Sequence, residues 1–236
     1  MVRLALFIST LALASSFTAG DLVRRVEKSA PAASAEPDCQ DYLLISARGT
    51  DEKQGPSFVF IDAIKETLST VPNGAEVDVV YPATWDMQYQ IGSDWIKDFL
   101  SKRVENCPDE EYALLGYSQG AMVASGAIDS YQPDDAVGQK IKAVVMFGNP
   151  MHVSGRPGNA VDKDLRLVSD ASGVATNDDA AVRKYSSEGI VLDVCLQDDY
   201  VCNKGHSKDP MAHGSYGADK GVQDLASRFL ISKLSK

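Results

Sequence analysis

The chain has 236 residues, of which 44% are hydrophobic and 24% are charged, a composition typical of a soluble globular protein. Its formal net charge of −10 argues against nucleic acid as a partner, because binding a polyanion requires clustered lysine and arginine side chains. The same charge disfavours adhesion to anionic lipid surfaces. The length suffices for one domain with a full hydrophobic core.

The N-terminal segment has the layout of a secretory signal. The apolar stretch LALFISTLALA (4–14) follows Arg3 and is followed by small and polar residues up to Gly20, which predicts a cleaved signal peptide over residues 1–20. This stretch is shorter than the roughly 20 apolar residues that span a bilayer, so no stable membrane insertion is expected. The protein is therefore expected to be secreted and extracellular.

Residues 21–38 are rich in alanine, proline and serine and lack apolar periodicity, which predicts a flexible leader or propeptide. Arg24-Arg25 is a candidate dibasic processing site within it. The remaining residues, 39–236, are predicted to form a single domain.

Strands and helices alternate along that domain. The 57–70 segment is predicted to be a helix capped by Ser57. Residues 149–187 follow neither the helical nor the strand periodicity of apolar residues, which predicts long loops with one short helix. The predicted strands are 42–49, 76–82, 111–116, 142–148 and 189–195, and the other predicted helices are 90–106, 120–128 and 224–234. This order predicts an α/β fold with a five-stranded parallel sheet flanked by helices, whose active site lies beyond the carboxyl ends of the strands.

Four cysteines occur in the chain. An even number in an exported protein predicts two disulfides, and three pairings are possible. A zinc site built from Cys195, Cys202, His206 and His213 is the competing interpretation. Their spacing does not match the usual close pair of zinc ligands, so no metal is expected.

The stretch GYSQG (116–120) places Ser118 between a predicted strand and a predicted helix. A serine on such a sharp turn needs small neighbours two residues away on either side, and Gly116 and Gly120 supply them. The positive end of the following helix favours the oxyanion that forms during acyl transfer. Ser118 is therefore the candidate nucleophile.

A serine nucleophile needs a general base and an acid that orients it. His152 comes too early for the chain order Ser…Asp…His of this fold, whereas spacing leaves both His206 and His213 open. For the acid, the segment CLQDDYVC (195–202) offers Asp198 and Asp199 directly after the fifth predicted strand.

Four segments, in this order, resemble the cutinase family, which also contains acetylxylan esterases. They are ARGT (47–50), GYSQG (116–120), the C-x3-D-x2-C segment (195–202) and H-x-x-Y (213–216). The resemblance implies a small lidless α/β-hydrolase and a secreted serine carboxylester hydrolase that works through an acyl-enzyme without metal or organic cofactor.

The resemblance also resolves the open assignments. It implies Asp199 as the acid and His213 as the base, which leaves His206 as a surface residue. It further implies an oxyanion hole from Thr50 and Gln119, and the disulfides Cys39–Cys107 and Cys195–Cys202.

Substrate choice depends on the walls of the crevice around Ser118. The candidates for lining it are Trp85, Met87, Tyr89, Met151 and Met211. An apolar rim would favour cutin-type polyesters and short-to-medium-chain esters, which is the prediction. A narrow polar slot would favour acetyl groups on xylan or generic short-chain esters, and a non-catalytic secreted binding protein is a remote alternative. A monomer is expected.

Overall fold

The computed structural model describes residues 38–161, 167–177, 179–205 and 209–235. The predicted signal peptide, all but the last residue of the predicted leader, and His206 lie outside the described residues. The described strands are β1 Tyr42–Ala47, β2 Gly74–Asp78, β3 Glu111–Tyr117, β4 Ile141–Phe147 and β5 Val191–Val194. The described helices are α1 Ile61–Thr70, α2 Tyr89–Asn106, α3 Gln119–Ile128, α4 Ala180–Ser187, α5 Pro210–His213 and α6 Lys220–Leu234, with a 3-10 turn at Gly138–Lys140.

The five strands form one parallel sheet in the order β2-β1-β3-β4-β5. This confirms the predicted α/β fold. Strands β1, β3, β4 and β5 are almost entirely buried, as continuous apolar runs require in a sheet covered on both faces. The edge strand β2 is half-buried.

Helices cover the two faces of the sheet, and each face has its own hydrophobic core. One core contains Ile64 of α1 and Leu230 of α6 together with Leu115 of β3. The other contains Ile96 of α2 and Leu114 of β3, with the small residues of α3 beside them. Successive residues of a strand point to opposite faces, which is why neighbouring leucines of β3 belong to different cores. The carboxyl end of β3 therefore emerges between the two helical layers.

The start of α1 differs from the prediction. The helix begins at Ile61, and its N-cap residue Phe60 makes no capping hydrogen bond through its side chain. The Ser57 hydroxyl instead donates to Glu52 Oε2 at 2.9 Å, and the Phe58 amide donates to Glu52 Oε1 at 2.8 Å. The prediction that Ser57 caps this helix is wrong, because the Glu52 carboxylate binds these donors and keeps the segment before Ile61 in a loop.

Other boundaries also shift. Strand β2 ends at Asp78 rather than at residue 82, and the closing helix begins at Lys220 rather than at 224. The Asp219 carboxylate accepts from the amides of Gly221 and Val222, and an N-cap of this kind fixes the helix start one turn earlier. The four-residue helix α5 was not predicted.

Two disulfides tie loops to this framework. The Cys39–Cys107 disulfide joins the segment that precedes β1 to the end of α2, and the Cys195–Cys202 disulfide closes the loop after β5. From the loop lengths, the first constrains the unfolded chain by about 4.4 kcal/mol and the second by about 2.5 kcal/mol. Within the described ranges, none of the helices combines the length and the apolar character that crossing a bilayer requires.

Candidate active site

Ser118 lies on the sharp turn between β3 and α3. Its backbone has φ 53° and ψ −117°, a conformation that costs a non-glycine residue about 1–3 kcal/mol. The chain makes a close approach to itself here: a Cβ on Gly116 would collide with the Gly120 carbonyl, and a Cβ on Gly120 would collide with the Ala47 carbonyl. The two glycines are therefore required by the space around this turn.

His213 lies within hydrogen-bonding distance of both Ser118 and Asp199. Ser118 Oγ is 2.9 Å from His213 Nε2, and His213 Nδ1 is 2.9 Å from Asp199 Oδ2 and 3.0 Å from Oδ1. An ionised carboxylate can only accept, so Nδ1–H donates to Asp199 and Nε2 is left to accept from the serine hydroxyl. This arrangement can remove the proton from Ser118 Oγ.

Local structure holds His213 in place. It is the last residue of α5, a helix that begins where the Asp209 side chain accepts from the Met211 amide. The Tyr117 hydroxyl donates to the His213 carbonyl at 2.8 Å, and the two rings lie 5.1 Å apart. The residue before the serine thus orients the backbone of the histidine.

Asp199 is fully buried and its oxygens have further donors. The Tyr216 hydroxyl donates to Oδ2 at 2.6 Å, and the Val201 amide donates to Oδ1 at 2.9 Å. Burial first, and then the negative charge of Asp199, raise the pKa of Tyr216 well above its ordinary value, so the phenol keeps its proton. Sequence reasoning used Tyr216 as part of the H-x-x-Y motif and assigned it no role.

The structure separates the alternatives that spacing left open. Asp198, beside Asp199, is exposed and is not the carboxylate at His213. His152 lies buried against Asp193, away from the serine. Cys195 and Cys202 are joined in a disulfide, and over the described part of the chain no group of three or more His, Cys, Asp or Glu side chains is arranged to hold a metal.

Thr50 and Gln119 lie beside Ser118 and contact each other. The Thr50 hydroxyl donates to Gln119 Oε1 at 3.3 Å, and Gln119 Nε2 donates to the Thr84 carbonyl at 3.2 Å. Gln119 begins α3, and an amide in the first turn of a helix has no partner within the helix. Its N–H is therefore available to an anionic oxygen at Ser118.

A cavity of about 500 Å³ opens above Ser118, and its lining is mostly apolar. Trp85 and Met87, both predicted to line the crevice, form one side of it. The opposite side consists of Pro150, Val174, Ala175 and Val201. Pro150 directly precedes the predicted Met151, whereas no wall residues were predicted in the segments that carry the other three. Trp85 is 76% exposed and forms part of the rim.

The other three predicted crevice residues are not in the lining of this cavity. Tyr89 packs against the core beside α2 and α3, because it begins a helix whose inner face meets α3. The amide of Met151 donates to Asn149 Oδ1 at 2.9 Å, within a tight turn. Met211 is highly exposed and borders a separate cavity of about 210 Å³ together with Asp198 and Asp209.

Comparison with known proteins identifies the family. The sequence model of the family described as Cutinase matches residues 38–234. Carboxylesterase Culp1 of Mycobacterium tuberculosis is 31% identical over 208 residues, covering 86% of this chain and 85% of that protein.

Solved structures show the same relationship. A cutinase-like protein from Cryptococcus sp. has a TM-score of 0.74 at 28% identity, covering 85% of this chain and 98% of that one. The catalytic core domain of acetyl xylan esterase from Trichoderma reesei has a TM-score of 0.69 at 21% identity, covering 83% and 100%, which is a likeness of fold. The chain belongs to the cutinase family and is a carboxylic ester hydrolase.

Proposed function

We propose that Ser118, His213 and Asp199 are the catalytic triad of this esterase. Ser118 Oγ attacks the ester carbonyl carbon while His213 Nε2 accepts the hydroxyl proton and Asp199 stabilises the imidazolium. The carbonyl oxygen becomes an oxyanion, which accepts from the backbone N–H groups of Thr50 and Gln119 and from the Thr50 hydroxyl.

The intermediate collapses when His213 returns the proton to the alcohol oxygen and the ester C–O bond breaks. The alcohol leaves and the acyl group stays bonded to Ser118. Water then attacks the acyl carbon while His213 accepts a proton from it. The bond between the acyl carbon and Ser118 Oγ breaks, His213 returns the proton to Oγ, and the acid leaves. The observation that carries this proposal is the pair of 2.9 Å contacts that link Ser118 Oγ through His213 to Asp199.

We propose cutin-type polyesters and short-to-medium-chain esters as the substrates. The apolar lining of the cavity, with Val174 and Val201 on one side and Met87 on the other, favours burial of an aliphatic acyl chain. A site that selects acetyl groups on a polysaccharide would need polar groups to bind the sugar. Preference for acetylated xylan is therefore the alternative outcome of the test below.

We further propose that the enzyme is secreted as a monomer. Residues 1–20 would be the signal peptide, residues 21–38 the leader, and residues 39–236 the catalytic domain. The two disulfides support export, since such bridges persist in oxidising compartments. The triad and the cavity are formed within one chain, which supports a monomer.

The test is a panel of p-nitrophenyl esters from acetyl to long acyl chains, together with cutin and acetylated xylan. We expect kcat/KM to rise from acetate to the butyrate–octanoate range, and fatty acids to be released from cutin. Ser118→Ala serves as the control for non-enzymatic turnover. A panel in which only acetyl esters and acetylated xylan react would contradict the substrate proposal while leaving the triad intact.

A further inference from the structure

A second histidine–carboxylate pair lies buried behind the crevice. His152 follows β4 and Asp193 belongs to β5, and both side chains are fully buried. His152 Nδ1 is 3.0 Å from Asp193 Oδ2, an ion-pair distance without the alignment of a hydrogen bond. The same Oδ2 accepts from Asn149 Nδ2 at 2.9 Å. Buried pairs of this kind are weak evidence for stability, so the pair invites a functional explanation.

The backbone at His152 holds one wall of the crevice. The His152 carbonyl accepts from the Gly173 amide at 2.9 Å. The Thr176 hydroxyl lies 3.3 Å from the same carbonyl and 2.6 Å from the Gly173 carbonyl, and it donates mainly to the nearer oxygen. Between those two residues lie Val174 and Ala175, which line the cavity above Ser118. The segment belongs to no helix or strand, so contacts of this kind are what fix its position.

The neighbouring residue reinforces this link. The Pro150 carbonyl accepts from the Ala175 amide at 2.8 Å, and the Val174 amide donates to the Val201 carbonyl at 2.9 Å. Two consecutive wall residues are therefore bonded to the turn that carries His152 and to the loop that carries Asp199. A shift of His152 must move the wall.

The pair also reaches the turn beneath the catalytic histidine. Asn149, bonded to Asp193, follows Gly148, whose φ of 54° is a conformation that favours glycine. A Cβ on Gly148 would lie 2.9 Å from both Asp199 Oδ2 and His213 Cε1. Asp193 thus stabilises a turn that packs directly against the His213–Asp199 contact.

Electrostatics holds the pair together. Burial alone would lower the pKa of His152, and Arg156 acts in the same direction. Asp193, with a smaller contribution from Asp199, outweighs them and leaves the pKa of His152 above its ordinary value. Asp193 thus offsets the effect of burial on His152, in agreement with the 3.0 Å contact between the two side chains.

We propose that the buried His152–Asp193 pair positions the Val174–Ala175 wall and thereby sets the acyl-chain preference of the esterase. Neither side chain contacts the substrate, so both are positioning residues. When the wall is displaced, an acetyl ester loses little binding free energy, because the acetyl group does not reach the wall. A longer acyl chain loses more binding free energy with each methylene that would pack on the wall. The inference rests on the proposed function of the Ser118 site.

The test compares His152→Leu and His152→Gln with the unsubstituted protein. Leucine removes the imidazole nitrogen beside the Asp193 carboxylate, whereas the glutamine amide can still donate to it. Because the hydrogen bond from Asn149 Nδ2 to Asp193 Oδ2 does not involve His152, the Gly148 turn against His213 and Asp199 should stay in place in His152→Leu. For this variant we therefore expect KM for p-nitrophenyl octanoate to rise about tenfold, with kcat and KM for the acetate changed less than about twofold. His152→Gln should recover most of the preference.

Leu230→Ala is the matched control, since it opens a cavity in the core under α6 and lowers Tm without touching the wall. Its ratio of kcat/KM for octanoate over acetate should stay unchanged. The proposal would be overturned if folded His152→Leu kept the octanoate-to-acetate ratio of kcat/KM of the unsubstituted protein. It would also be overturned if kcat/KM fell equally at all chain lengths. If His152→Leu fails to fold, Asp193→Asn is measured beside His152→Gln. An octanoate-to-acetate ratio of kcat/KM that is unchanged in both of these variants overturns the proposal equally.

Labelling with a small organophosphonate distinguishes failure of the positioning role of His152 and Asp193 from failure of the proposed function. If the phosphonate labels Ser118 in the unsubstituted protein and in the His152 variants, the catalytic site is intact and only the positioning role is tested. If the unsubstituted protein neither reacts with the phosphonate nor hydrolyses the esters, the proposed function itself is wrong.

Discussion

Replacing Asp199 with asparagine tests the proposed triad at the residue that spacing could not identify. Both carboxylate oxygens lie about 3 Å from His213 Nδ1, and the side chain is fully buried. An asparagine of the same shape offers one accepting oxygen and one NH2 group. If the NH2 group faces the ring, Nδ1 must accept, and the proton moves to Nε2, which then cannot accept from Ser118.

The magnitude follows from that change of tautomer. Loss of the orienting carboxylate removes both the correct tautomer and the stabilisation of the imidazolium, a change that costs about 10⁴-fold in kcat in a serine hydrolase triad. This corresponds to about 5.5 kcal/mol of transition-state stabilisation. The asparagine oxygen can still accept from the Val201 amide, and its NH2 group can donate to the Tyr216 hydroxyl in place of the present bond. The side chain should therefore keep its position, and KM should change little.

The assay is steady-state hydrolysis of p-nitrophenyl butyrate by Asp199→Asn and by Asp198→Asn. The second variant makes the same chemical change one residue earlier, at an exposed position, and should retain kcat within about twofold. Near-normal turnover in Asp199→Asn, or a larger loss in Asp198→Asn, would refute the assignment. Circular dichroism and Tm establish that both variants are folded.

Three further predictions concern the surroundings of the site and the fold. Burial raises the pKa of Glu76 from 4.5 to about 7, so the folded state binds this proton more tightly and stability falls as pH rises between those values. Glu76→Gln should raise the free energy of unfolding by about 2 kcal/mol at pH 8 and leave it unchanged near pH 4, as measured in urea; no gain at pH 8 would contradict this. Tyr216→Phe removes the 2.6 Å hydrogen bond to Asp199 and should lower kcat about 10- to 100-fold with KM unchanged; unchanged kcat would count against that role. Replacing Cys195 and Cys202 together by alanine should lower the free energy of unfolding by about 2.5 kcal/mol, and an unchanged urea midpoint would contradict it.

The sheet was predictable because four of its five strands, β1, β3, β4 and β5, are short and mainly apolar runs, whereas the half-buried edge strand β2 was predicted with shifted bounds. The run before Ser118, EYALLG, emerges as the central strand β3, and burial on both faces explains why its apolar residues are continuous. The helix starts were less predictable. The carboxylates of Glu52 and Asp219 decide them through bonds to backbone amides, and such bonds leave no periodic signal.

The chemistry of the site was predictable from residue types. Spacing left the aspartate and histidine partners of Ser118 open, and only the resemblance to the cutinase family pointed to Asp199 and His213. Spacing offered two aspartates and two histidines, and only the path of the loop after β5 decides which carboxylate faces His213. The second wall of the crevice was missed for a related reason. Val174 lies in a segment without helical or strand periodicity, and its place above Ser118 depends on backbone bonds to His152 and Val201.

The central claim is that Ser118 is the nucleophile, and the most direct measurement is hydrolysis of p-nitrophenyl butyrate by Ser118→Ala beside the unsubstituted protein. Removing Oγ leaves the cavity, His213 and Asp199 in place, so the fold and Tm should be retained. The account predicts a loss in kcat of at least about 10⁴-fold. A folded Ser118→Ala protein that turns over the ester at a rate within tenfold of the unsubstituted protein would contradict it.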